Sequence, residues 1–176
     1  MPDNAMRQIV VDKVTLNMGV GEAGQKLESA KTLLNRLTGR KPMTTVTRVR
    51  SPTWKLKKGD PIGAKVTLRG KEAVEILKKA LEAVDRNVKV RSFDRGGNFA
   101  FGVPEYIDFP GAKYDPQIGM VGFDVCVTLK RRGMRVFQRR RAPARRIAPR
   151  HKISADEARE FARSELGVSI IEEATE

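Results

Sequence analysis

The chain has 176 residues, of which 40% are hydrophobic and 32% charged, with a net charge of +14 and a pI near 10.3. That is enough apolar content for one globular core with an extension, and the excess of positive charge points to an anionic partner, nucleic acid first. A single cysteine excludes an internal disulfide framework and favours a reducing compartment, and with no apolar run of 18 residues and no leader pattern at MPDNAMRQ the expected location is the cytoplasm, not a membrane.

The charge is segregated. Residues 40–58 hold seven Lys/Arg and residues 130–152 hold eleven, neither stretch containing Asp or Glu, which leaves 17 basic against 21 acidic residues elsewhere. The body of the protein is therefore slightly acidic. Solubility alone does not require two acid-free patches.

In chain order, Ile9 to Met18 alternates, with Val10, Val14, Leu16 and Met18 on one face and Lys13, Thr15 and Asn17 on the other. This is the pattern of a half-buried strand in an antiparallel sheet. After GVGEAG, the segment QKLESAKTLLNRLTG places Leu27, Ala30, Leu34 and Leu37 at helical spacing and ends at Gly39. Thr44 to Arg50 and Ile62 to Arg69 read as strands, the second with Ile62, Ala64, Val66 and Leu68 inward. Between them lies an exposed cationic finger, because Arg48, Arg50, Lys55, Lys57 and Lys58 around Trp54 have no acidic neighbour before Asp60 and burying unpaired charges costs several kcal/mol each.

Lys71 to Val84 predicts an amphipathic helix through Ala73, Leu77, Ala80, Leu81 and Val84. Val88 to Phe93 is open between strand and loop, DRGGN is a turn, Asn98 to Val103 a short strand, and Pro104 to Pro116 a proline-bearing loop. Val121 to Leu129 alternates again with Phe123, Val125, Val127 and Leu129 on one face. The basic arm that follows has too little apolar periodicity to assign structure. Ser154 to Glu157 forms a capping box, Ile153 is placed to staple onto Ala158, and Gly167 closes the helix. Alternating strands with helices outside a regular βαβ order predict an α+β open antiparallel sheet.

Catalytic sets are wanting. Gly19, Gly21 and Gly24 form a GxGxxG between a strand and a helix, the place of a dinucleotide fingerprint. The strand before it is alternating and charged, no acidic residue follows about 20 positions on, and a hairpin takes the place of a second βα unit. A flexible turn is the preferred reading, with a dinucleotide-dependent enzyme as the alternative. Cys126 and the lone His151 share no local motif; the cysteine is expected to be a small packed strand residue, and one Cys with one His cannot make a typical structural zinc site. Asp156 and Glu157 are accounted for by the helix N-terminus. No cofactor or metal is expected.

The basic patches carry the better signal. Cationic side chains on an exposed finger neutralise phosphates and make binding steeply salt-dependent, and Trp54 can stack on an unpaired base. Thr45, Thr47, Thr67 and Asn17 supply neutral donors for sugars and phosphates, and Arg139, Arg140, Arg141, Arg145 and Arg146 are the candidate contacts of the second patch. Two bland readings stand beside these. The hairpin is merely solvated with Trp54 packed on Leu56, or the arm is a polybasic membrane or localisation segment.

The motifs VTLNMGVGEAG, LTGRKP, KLKKGDPIGAKVTLRG, SFDRGGNFAFGV and YDPQIGMVGFDV, in this order over residues 7–130, resemble the large-subunit ribosomal protein five family. The early start and the extension after Leu129 resemble its archaeal branch. The resemblance implies a non-enzymatic protein with a five-stranded antiparallel sheet, helices on one side, a long basic hairpin and a C-terminal extension. It also implies that the open sheet face and the hairpin meet 5S ribosomal RNA in the central protuberance of the large subunit, through Asn17, Arg40, Trp54 and Thr67. Arg40 stands where the family has an amide side chain, and Trp54 where it has a smaller aromatic. Further implied partners are large-subunit ribosomal RNA, peptidyl-site tRNA at the hairpin tip, and small-subunit protein thirteen across an inter-subunit bridge, sought around Pro104–Pro116. The expected organisation is an RNA-binding domain over residues 1–130, with 131–176 packed as an extension of it.

Overall fold

A computed structural model describes residues 4–22, 24–139, 143 and 146–171. Its centre is strand β1 (Ile9–Gly19), flanked by β3 (Pro61–Arg69) and β6 (Phe123–Arg131); β2 (Met43–Val46) and β5 (Phe99–Val103) complete an antiparallel sheet in the order β2-β3-β1-β6-β5. The fold is the α+β open antiparallel sheet that the alternation predicts. Helices α1 (Gln25–Thr38) and α2 (Lys71–Glu82) cover one face. Their apolar stripes, Leu27, Ala30, Leu33 and Leu34 on α1 and Ala73, Ile76, Leu77, Ala80 and Leu81 on α2, are buried with Val14, Leu16, Met18, Ala64, Val66, Leu68, Val125 and Val127 of the sheet.

Register decides which side chains stay outside. Leu16 pairs with Val66 and Val125, so the inward rows are continuous across three strands. One expectation fails at the start of β1. The pairing with β6 shifts between Val11 and Lys13, a bulge at Asp12. An extra residue in one strand reverses the alternation beyond it, so Ile9 and Val11, not Val10, pack against the core.

The C-terminal helix α4 (Ala155–Leu166) has the predicted capping box: Ser154 N–H donates to Glu157 Oε2 at 3.1 Å, and Glu157 N–H donates to Ser154 Oγ at 3.3 Å. It ends on Gly167 in the left-handed conformation, φ 62°. Its Ala158, Ala162 and Leu166 join the same buried cluster as the sheet. Ile153 is seated over the DRGGN turn, where a Cβ on Gly97 would come within 2.5 Å of its Cγ2. Gly97 also holds φ 77°; the close approach and the backbone both require glycine.

The chain after the helix adds β7 (Ser169–Ile171), which pairs in parallel with β4 (Asn87–Lys89). Periodicity in the sequence does not reveal this pair, since three residues are too few to show a period. The segment Val88 to Phe93, open between strand and loop in the sequence, divides into β4 and a 3-10 turn at Val90–Ser92. The basic arm contains a short helix, α3 (Arg135–Gln138).

Candidate nucleic-acid interface

The face of the sheet opposite the helices carries no covering element among the described residues. Its outward rows run across the strands. One contains Met43, Lys65, Asn17, Asp124 and Gly102, and the next Thr67, Thr15, Cys126 and Ala100. Beyond them come Arg69, Lys13 and Thr128. Asn17 and Thr67, both expected at the interface, are thus neighbours on one surface, and Thr67 Oγ1 lies 3.4 Å from Thr15 Oγ1. Thr45 sits opposite Gly63, where a Cβ would come 2.5 Å from Met18 O and 2.9 Å from Thr45 Oγ1. Glycine at 63 therefore leaves room for the Thr45 side chain beside β3.

The finger grows from the same edge. Its strands are shorter than the alternation predicts: β2 stops at Val46 after a register shift at Thr45, rather than running to Arg50. A two-stranded arm beyond the sheet has no third strand and no core to hold a long ladder. The arm is nevertheless tied twice. Thr47 N–H and Oγ1 both donate to Asp60 O (2.8 and 3.0 Å) and Gly59 N–H donates to Thr47 O; further out, Ser51 and Leu56 exchange backbone hydrogen bonds. Thr47, expected as an RNA donor, therefore has its hydroxyl engaged at the base of the finger. The tip turns through Pro52–Lys55, with Lys55 N–H donating to Pro52 O and Lys55 at φ 54°.

On this arm Arg48, Arg50, Lys55, Lys57 and Lys58 are exposed, and none has an ion pair among the described residues. Trp54 is 75% exposed. Most of its surface is therefore open to a ligand. Asp60, the first acid after the patch, is turned inward and accepts from Lys57 N–H at 2.7 Å.

Arg40 sits at the corner between α1 and β2 and is engaged. Its Nη2 and Nε donate to Glu72 Oε1 and Oε2 at 2.6 and 3.1 Å. The hydrogen bond from Arg40 holds the Glu72 carboxyl below its ordinary value, and Glu72 raises Arg40 in turn. A two-pronged pair uses one edge of the guanidinium and leaves Nη1 on the other.

The second patch is partly internal. Arg131 is 5% exposed and donates to Glu157 Oε1 at 2.6 Å and to Arg150 O at 3.3 Å. Lys130 pairs with Asp12 at 2.5 Å. Two of the patch's cations therefore hold the C-terminal segment and the bulge together, and sequence counting cannot separate them from the rest. Burial raises the Glu157 carboxyl, but the hydrogen bonds from Ser154 N–H and Arg131 outweigh it, and the net shift is downward. Arg139 donates through Nε and Nη2 to Pro143 O, and Arg146 is exposed. Arg140, Arg141 and Arg145 lie outside the described residues.

The competing chemistries find no geometry. In the GxGxxG turn, Val20 N–H and Gly21 N–H both donate to Ile62 O at 2.9 Å, so they do not point at a ligand. The strand after α1 is two places from β1 in an antiparallel sheet, which is not a βαβ unit. His151 Nε2 lies 3.0 Å from Arg132 O in the arm, whereas Cys126 is on the open face. Cys126 is exposed and not packed as expected; outward parity on β6 puts it there. Burial first, and Asp124 second, push its thiol upward. Among the described residues no group of three or more His, Cys, Asp and Glu could hold a metal, and no helix is long and apolar enough to cross a membrane.

An uncovered, polar sheet face continuous with an acid-free finger is an arrangement suited to an extended polyanion. Comparison with known proteins narrows the class. Residues 4–57 match the family described as Ribosomal protein L5, and residues 61–163 match the model of that ribosomal family's C-terminus. Large ribosomal subunit protein uL5 of Nanoarchaeum equitans is 52% identical over 171 residues, covering 96% of this chain and 99% of its own. The proteins of the same name from Sulfurisphaera tokodaii (48% identical; 96% of each chain) and Sulfolobus acidocaldarius (46%; 97% of this chain and 95% of its own) are similar throughout. The chain belongs to the ribosomal protein L5 family: it is a ribosomal-RNA-binding protein of the large subunit and not an enzyme.

Proposed function

We propose that the bare sheet face and the finger hold 5S ribosomal RNA in the central protuberance, with Asn17, Thr67, Arg40 and Trp54 among the contacts. The observation that carries this reading is the continuity of the uncovered face with a finger whose five cations are exposed and unpaired among the described residues. Phosphates along an RNA helix need such a run of free cations, and the neutral Thr and Asn rows suit ribose hydroxyls. The tip, where Trp54 is exposed, is assigned to peptidyl-site tRNA. The segment from Pro104 to Pro116 is assigned to small-subunit protein thirteen. It is held by Tyr106 OH, which accepts from Asp115 N–H, and by Arg36 on Asp115 at 2.6 Å, while Ile107 and Tyr114 are exposed. Residues 131–176 serve as an extension of the domain formed by 1–130, a reading supported by the shared buried cluster.

The test is a gel shift of the full chain with 5S RNA against a length-matched unrelated RNA, beside protein fluorescence titrated with NAD(P)H. The expected result is retardation of 5S RNA at lower protein concentration than the control and no saturable nicotinamide response. Nicotinamide binding without RNA binding would reverse the assignment.

A further inference from the structure

The open face contains an acid that its RNA-binding task does not explain. Asp12, at the far end, is matched by Lys130 and Arg69. Asp124, in the row of Asn17, is exposed and has no hydrogen bond or ion pair among the described residues, although Lys65 stands in the same row. An unmatched carboxylate on a surface for phosphates repels its ligand. Its presence is intelligible where the ligand offers donors, and in RNA the strongest donors are on base edges.

Asp124 is the direct cross-strand partner of Asn17, which brings the two side chains to within about 4.5–5.5 Å at Cβ. Together they line a depression of about 450 Å³ with Gly19, Gly102, Val103 and Gly122. A Cβ on Gly102 would lie 3.7 Å from Asp124 Oδ1, so glycine at 102 leaves the carboxylate without a side-chain neighbour on β5, while Asn17 has Lys65 as its neighbour on β3. The pair offers, side by side, an amide donor and two carboxylate acceptors. Guanine presents the complement on its Watson–Crick edge: O6 accepts, N1–H and the N2 amino group donate. Uracil would set O2 against a carboxylate oxygen, and cytosine and adenine each put an acceptor where an acceptor already stands.

Resting on the reading that this face meets RNA, we propose that Asp124 and Asn17 read an unpaired guanine, Asp124 taking N1–H and N2–H and Asn17 donating to O6. Unstacked bases laid on a sheet and bonded on this edge are a recurrent mode of single-strand recognition.

The probes are nine-residue oligouridylates with a central guanosine, inosine (which lacks only the N2 amino group) or adenosine, titrated without magnesium into the full chain and used as competitors of its 5S RNA complex. The expected result is a preference for guanosine over both others of about 5- to 150-fold, the range of one bidentate base contact. Asp124→Asn should abolish that preference while binding of the all-uridine oligomer stays equal or rises. Equal affinity for guanosine and inosine in the unmodified protein, absence of competition by every oligomer, or an Asp124→Asn variant that gains affinity for all oligomers with the preference intact, each overturns the proposal. The inosine comparison needs no variant and so does not depend on its folding. Failure to bind 5S RNA at all would instead refute the function proposed above.

Discussion

Two residues show how burial separates a side chain free for a ligand from one that holds the fold. Trp54 is 75% exposed at the finger tip, outside the buried core. Trp54→Ala should therefore leave the unfolding midpoint unchanged and weaken RNA binding by about 1–3 kcal/mol, the worth of a base stacked on an aromatic ring, read by filter binding beside thermal melting. Arg131, 5% exposed, is the opposite case. Removing its partner leaves a guanidinium in the interior, which costs about 3–5 kcal/mol for a wholly buried pair; Glu157 is 44% exposed, so Glu157→Gln should cost less, about 2 kcal/mol by urea unfolding. The pH dependence follows from the same carboxylate, which the hydrogen bonds from Ser154 N–H and then Arg131 stabilise against burial. The Glu157 carboxyl is depressed below its ordinary 4.5 in the folded protein, so its contribution is complete above that value and is lost as pH falls through the lower, folded-state value. The stability difference between native protein and Glu157→Gln should shrink on acidification below about pH 4.5 and not above it. A difference that stays constant through strong acidification would contradict the stabilised carboxylate.

At the scale of elements, the finger acts as an electrostatic unit. Replacing Lys55, Lys57 and Lys58 together by Ala should weaken 5S RNA binding and flatten the slope of log K against log salt by about 0.7–0.9 for each phosphate no longer neutralised. An unchanged slope would remove these lysines from the interface. The C-terminal helix behaves as a local unit of a different kind. Ser154→Ala deletes the side-chain acceptor for Glu157 N–H and should lower stability by about 1 kcal/mol without altering the salt slope.

Across the whole molecule, what can be read from the sequence is what repeats or what carries charge. The α1 and α2 stripes, the inward rows of β3 and β6 and the cap at Ser154 follow from periods of 3.6 and 2 and from one four-residue pattern, and each is present. The fold departs from that reading where a single residue breaks a period, as the bulge at Asp12 does for Val10, or where an element is too short to have one, as with β4 and β7. The proposed interface is partly legible. The finger is announced by its lack of acids, and Asn17 and Thr67 by parity together with the family motifs. Arg131 and Lys130 look like surface cations in the sequence because composition cannot see a partner 26 or 118 residues away in the chain. For Cys126 residue type argues for the core and strand parity for the open face, and parity prevails.

That last position supplies the most direct measurement. Cys126 is the only cysteine in the chain and lies on the open face between Thr15 and Ala100. The rate of its modification by a neutral thiol reagent, followed at constant pH with and without saturating 5S RNA, reports whether RNA covers that face. Slower labelling by an order of magnitude or more in the complex, with the rate restored at high salt, is the expected result; an unchanged rate on a protein that binds the RNA would place it elsewhere and contradict the account.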